Sequence, residues 1–231
     1  MLDFDKLPEH SKIAVDIGIF EEKTKVEYFI LEAAIFEDMC SIFNLLKERL
    51  KKNDEIEIKS DKKKNIALMR TVVLTAFNFV EAFLNGIASD YFFSNFHNLD
   101  DETRIILTEW DHIRGKPKYL SLRDKVLKYL RIACKSSFPP LQESNCEELT
   151  FIIEKAKAIR DSIVHPSSIH GLGFKEEEIF KLGIGEVEKI IDTSIQLVKR
   201  IELLIHGNNN NRIRWIYERD KNGFFPEEVF F

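Results

Sequence analysis

A chain of 231 residues, 44% hydrophobic and 32% charged, has the material for one generous domain or one domain with appendages. Lys and Arg number 34 against 39 Asp and Glu, a net charge of −5 with pI near 5.8, which excludes a protein that coats nucleic acid non-specifically and confines any RNA or DNA contact to a local patch. Nine Gly and six Pro are too few for an all-β fold built on tight turns, so long helices are expected. Cys40, Cys134 and Cys146 stand far apart with no CxxC or Cys/His ligand spacing, and are expected as reduced, at least partly buried thiols. No signal peptide and no apolar run long enough to span a bilayer are read, and a soluble, cytoplasmic, helical chain is the expectation, with no membrane partner. No clustered acid or His/Cys site suggests a metal, and no cofactor is expected.

In chain order, residues 1–22 read as an N-terminal arm, in which Ile13 to Phe20 suits a short strand or an extended segment. From about Thr24 the period becomes helical: Phe29, Ala33, Phe36, Cys40, Phe43 and Leu50 fall on one broad stripe. Residues 53–64 form a polar, lysine-rich break, read as a solvated loop in preference to an RNA-facing patch. A second helix over residues 65–93 is apolar nearly all round and is therefore expected at the centre of a bundle. Asn78, Glu81 and Asn85 interrupt it as one stripe at spacings of three and four. Buried polar groups need partners, so Glu81 either meets a cation, with Arg160 the candidate, or the stripe faces water along an edge.

Asn98 to Asp101 looks like a helix start, and Arg114 to Lys118 is a basic loop, either phosphate-facing or plain surface. Another helix is predicted over residues 120–135, broken by Ser136 to Pro140. Ser144-Asn145-Cys146-Glu147 has a capping-box pattern. It opens a helix with Leu149, Ile152, Ile153, Ala156, Ile159 and Ile163 as the buried stripe. A last long helix after Gly183 turns Val187, Ile190, Ile191, Ser194, Ile195, Val198, Ile201, Leu204 and Ile205 inward. The sum is an all-α bundle of four to five main helices over residues 23–207. Residues 208–231 then form a linker and an aromatic-rich C-terminal hairpin or tail, with Asn222-Gly223 as its turn signal.

The stretch Ile159-Arg160-Asp161-Ser162-Ile163-Val164-His165-Pro166 closes the penultimate helix. Arg160 and His165 are five apart, so an ideal helix sets them ~140° apart, whereas Asp161 and His165 share a face. Pro166 stops a regular continuation and puts the imidazole at a helix C-terminus, where the dipole favours its protonated form. His10, His97, His112 and His206 have no such setting and are expected at the surface or as caps, while His170 is near enough in sequence to support the site.

This arrangement resembles the HEPN superfamily of small helical-bundle proteins, whose signature is an Arg, four to six residues, then a His, often with Asn, Asp or His directly after the Arg. The stretch from Ala76 through Asn85 resembles the central helix that precedes the motif in that group, and the likeness covers roughly residues 25–206. It implies a metal-independent endoribonuclease that cuts single-stranded or looped RNA, acting as a toxin or antiviral-defence effector. In that reading His165 is the general acid or base, Arg160 clamps phosphate, and Asp161 orients the His or holds the Arg. Asn78, Glu81, Asn85 and His170 support them, and a homodimer brings two motifs across one interface. An antitoxin or a defence partner protein would go with it. The chain lacks the tyrosine shortly after His165 that marks the branch paired with a nucleotidyltransferase antitoxin. Two other readings stand beside the nuclease: a non-catalytic HEPN module that binds a nucleotide or protein partner, and a plain bundle in which Arg160 pairs with Glu81.

Overall fold

A computed structural model describes residues 12–16, 25–29, 31–52, 59–164, 182–207 and 216. His165, His170 and most of the C-terminal segment lie outside the described residues. The molecule is an all-α helical bundle. Among the described residues its strands form only two short antiparallel ribbons.

The first ribbon pairs β1 (Lys12–Asp16) with β2 (Lys25–Phe29), in register from Lys12 opposite Phe29 to Asp16 opposite Lys25. Of the two readings of the segment from Ile13 to Phe20, strand or extended arm, its described part is strand; residues 17–20 lie outside the described residues. The helix expected from Thr24 does not start there, because Val26, Tyr28 and Phe29 suit a strand, and α1 starts only at Leu31 and runs to Lys52. Its stripe of Ala33, Phe36, Met39, Cys40, Phe43 and Leu46 is sealed in the core.

The central helix α2 spans Lys59–Asn95 and begins inside the lysine-rich stretch read as a loop. Lysine is a good helix former, so polarity there marks a solvated helical turn rather than a break. α2 packs chiefly on α1 and on the last helix, α7 (Ile184–His206). Val72, Val73, Ala76, Phe79, Val80, Phe83 and Leu84 fill the space between them, with Phe36 against Phe79 at 5.4 Å between ring centroids. Contrary to the expectation of no membrane-length apolar run, α2 is long and apolar enough to cross a bilayer by length and composition. Almost half of that window (44%) is buried inside the chain, the position of a helix that packs on several neighbours.

After a 3₁₀ turn at Phe96–Asn98, α3 (Asp101–Thr108) is capped by Asp100, whose carboxylate accepts from the Thr103 amide at 2.7 Å. A second small ribbon pairs β3 (Trp110–Asp111) with β4 (Lys116–Pro117), where a basic loop was expected. α4 (Leu122–Ala133) starts at the Ser121 cap. The capping box falls two residues upstream of the one expected at Ser144 and Glu147. Gln142 and Asn145 make it, closing a 3₁₀ turn at Glu143–Asn145, and Cys146 then caps α5 (Glu147–Phe151) by accepting from the Leu149 amide.

The helix runs on through a π turn, Ile152–Ala156, into α6 (Lys157–Val164), with the Lys157 amide donating to the Ile152 carbonyl. The wider turn advances every later side chain around the axis. Leu149, Ile152 and Ala156 are buried as expected, but beyond the turn the most buried position is Ser162, with Ile159 and Ile163 half-buried on either side. In α7 the inward set is Val187 to Ile201 together with Leu197 and Glu202, while Leu204, expected inside, is exposed. Ile216 is helical and buried; the rest of the expected C-terminal hairpin or tail lies outside the described residues.

Candidate functional site

α6 lies along α2, and Arg160 near its end is held in two ways. Its guanidinium sits over the ring of the buried Phe77, 5.8 Å from the centroid, within cation–π range. One guanidinium nitrogen (NH1) donates to Asp161 Oδ1 at 2.7 Å. About a third of the Arg160 side chain stays in solvent (34%), so part of its donor fork is open to an incoming anion.

Asp161 uses its other oxygen for the Lys157 ammonium, one turn upstream. Burial alone would push the Asp161 carboxyl up, but the hydrogen bonds and charges of Lys157 and Arg160 outweigh it and hold the group below the usual carboxylate range. Of the two tasks open to Asp161, holding the arginine is the one seen among the described residues; any contact with His165 lies outside them. His165 is the next residue after Val164, where α6 is described to end. His165 and His170 lie outside the described residues.

The polar stripe on α2 divides. Asn78 is exposed. Glu81 does not pair with Arg160, because a closer cation takes it: Lys125 of α4 donates to Glu81 Oε1 at 2.7 Å and to Asn85 Oδ1 at 3.0 Å. It also meets Glu109 Oε2 at 2.8 Å. An ammonium has three protons, and here each has an acceptor. The Lys125 side chain is 3% exposed. Burial alone would lower its pKa, yet the two carboxylates overcome that and raise it, so the group stays charged. Burial, with Glu109 and Glu81 nearby, also raises the pKa of the adjacent Tyr129.

Glu109 itself ends α3 in the left-handed conformation, φ 51° and ψ 28°, and accepts from the Leu120 amide with its other oxygen. One buried lysine thus ties the end of α3 and the start of α4 to the middle of α2. Glu81 stands one turn along α2 from Phe77, so this cluster lies ~6 Å of helix rise from the platform under Arg160.

Sequence reasoning passed over Lys125, although the signal was there: a lysine inside the apolar stripe of Leu122, Val126, Tyr129 and Leu130. It passed over Lys157 too, which stands at i−4 from Asp161. Phe77 had no signal beyond its place in an apolar run. Elsewhere, His112 faces Asp101 at 3.5 Å, His97 packs edge-on against Phe96, and His206 lies 4.0 Å from Glu202. Cys40 and Cys146 are buried and Cys134 is half-buried, none in a disulfide; burial foremost pushes the Cys146 thiol up to about 11. Among the described residues no three His, Cys, Asp or Glu side chains are grouped to hold a metal ion.

No family model, no curated protein and no solved structure matches this chain.

Proposed function

We propose that this chain is a metal-independent endoribonuclease of the HEPN type, a cytoplasmic toxin or defence effector that cuts single-stranded or looped RNA. The observation that supports it is Arg160: a guanidinium fixed by Phe77 and Asp161, partly open to solvent, at the end of the helix that leads directly to His165. RNA carries its own nucleophile. In this reading His165 takes the 2′-hydroxyl proton or supplies one to the departing 5′-oxygen, and the 2′-oxygen displaces the 5′-oxygen at phosphorus. The products are a 2′,3′-cyclic phosphate and a free 5′-hydroxyl. The open donors of Arg160 meet the charge that builds on the phosphoryl oxygens. Because one Arg and one His serve two proton transfers poorly, the active species is a homodimer that places two motifs together.

The test is cleavage of a structured RNA in EDTA by the wild type, His165→Ala and Arg160→Ala. We expect cyclic-phosphate ends from the wild type and a rate about 10²- to 10⁴-fold lower in His165→Ala, the usual worth of a general acid or base. Undiminished cutting by His165→Ala would sink the nuclease and leave the non-catalytic interaction module. Light scattering of the wild type checks the dimer.

A further inference from the structure

The ribbon of β3 and β4 departs in charge and exposure from the acidic chain around it. From Trp110 to Tyr119 the sequence has Arg114, Lys116 and Lys118 against a single acid, Asp111. That acid is occupied: Asp111 Oδ1 accepts from the amides of Ile113 and Arg114 at 3.1 and 3.0 Å and closes the turn. Its other oxygen is 3.8 Å from Arg114 Nε, a loose contact for a side chain that is 72% exposed. Lys116 and Lys118 are exposed and make no ion pair among the described residues. Glu109, the next acid along the chain, is spent on Lys125.

The apolar side chains here are as open as the cations. Tyr119 is 83% exposed and Trp110 is 47% exposed, both large costs in unburied ring area for a surface ribbon without a partner. Trp110 stands opposite Pro117 in the register, so the two share one face of the ribbon, and Asp111 and Lys116 share the other. An aromatic face bordered by cations is the surface that single-stranded nucleic acid uses: bases stack on the rings and phosphates meet the charges.

We infer that this ribbon is a docking tongue for single-stranded RNA, with Trp110 and Tyr119 as stacking platforms and Arg114, Lys116 and Lys118 as phosphate contacts. The inference rests on the ribonuclease reading and names where its substrate is held. The geometry joins the two places. Lys125 ties Glu109, at the root of the tongue, to Glu81, one turn along α2 from the Phe77 platform under Arg160. A local patch of this kind also explains how a chain of net charge −5 holds RNA.

The probe is a short unstructured 2′-O-methyl oligoribonucleotide with a fluorescent end, which binds but has no 2′-hydroxyl to attack with. Anisotropy is measured across a salt series for the wild type, for the Arg114→Ala, Lys116→Ala, Lys118→Ala triple variant, and for Trp110→Leu with Tyr119→Leu. We expect the triple variant to flatten the slope of log K against log salt by about 2, three phosphate contacts at ~0.7 each. The aromatic variant should weaken binding about tenfold or more. Quenching of Trp110 fluorescence in a Trp215→Phe background should accompany binding of the single strand and not of its duplex. Wild-type affinity and slope in both variants would overturn the tongue. So would displacement of the strand by polyglutamate with no dependence on Trp110 and Tyr119, which would assign the ribbon to an acidic protein surface. Cleavage of ordinary RNA by the wild type, with tongue-independent binding, removes the tongue and keeps the nuclease. Tongue-dependent binding with no cleavage does the reverse.

Discussion

At the scale of single residues the site is a set of small holds on one guanidinium. Phe77 supports it from below and Asp161 from the side, and Lys157 fixes Asp161 in turn. Exposed ion pairs on a helix contribute little to stability, ~1 kcal/mol or less. Asp161→Asn is therefore expected to unfold at nearly the wild-type urea concentration and, on the ribonuclease reading, to cleave RNA more slowly, since Arg160 loses a restraint. Because the folded-state pKa of Asp161 is lowered, whatever stability the pair gives is present above the ordinary value near 3.8 and disappears as pH falls through the lowered value. Urea melts of both proteins at neutral pH and near pH 3 check this: the small gap between them should close in acid. Arg160 and Asp161 could be read from the sequence because the motif is local. Phe77 could not, since a buried aromatic in an apolar helix looks the same whether or not a cation rests on it.

At the scale of elements, the excursion from α3 through the ribbon to α4 is fastened to α2 by Lys125. Glu81 keeps much of its side chain in water, so removing the buried lysine strands chiefly Glu109, at a cost of about 3 kcal/mol. Lys125→Ala should lose stability on that order in urea unfolding, with amide exchange rising first from residue 101 through residue 121. The folded-state pKa of Lys125 is raised, so its contribution is complete below the ordinary lysine value of 10.5 and is lost as pH climbs through the raised value. The wild-type melting temperature should accordingly fall more steeply in alkali than that of Lys125→Met. Glu109 sharpens the point. Its left-handed backbone would be relieved by glycine by roughly 1–2 kcal/mol, less than the anchor is worth, so Glu109→Gly should destabilise on balance. This cluster was hidden from the sequence because its members come from three elements, with Lys125 and Glu81 lying 44 positions apart. Only the misplaced lysine in an apolar stripe gave notice of it.

At the scale of the whole molecule, the bundle was largely legible. Helical period, scarce Gly and Pro and the all-round apolarity of α2 located the main helices and put α2 at the centre. The errors fell where two patterns compete. Residues 25–29 fit both a strand and the start of a helical stripe, and pairing with β1 decided for the strand. A further error, Ile159 and Ile163 short of full burial, traces to the π turn, which no side-chain pattern announces. That turn works as a reading frame for the end of the helix. Deleting the exposed Glu154 would close it to an ordinary turn and, because the wide turn absorbs one extra residue, leave every later side chain where it stands, Arg160 on its ring included. The shortened protein is expected to resist urea at least as well as the wild type and, on the ribonuclease reading, to keep the cutting that Arg160→Ala loses. The helix thus carries one residue more than its packing uses, and the turn is where that surplus is stored without moving the face that follows.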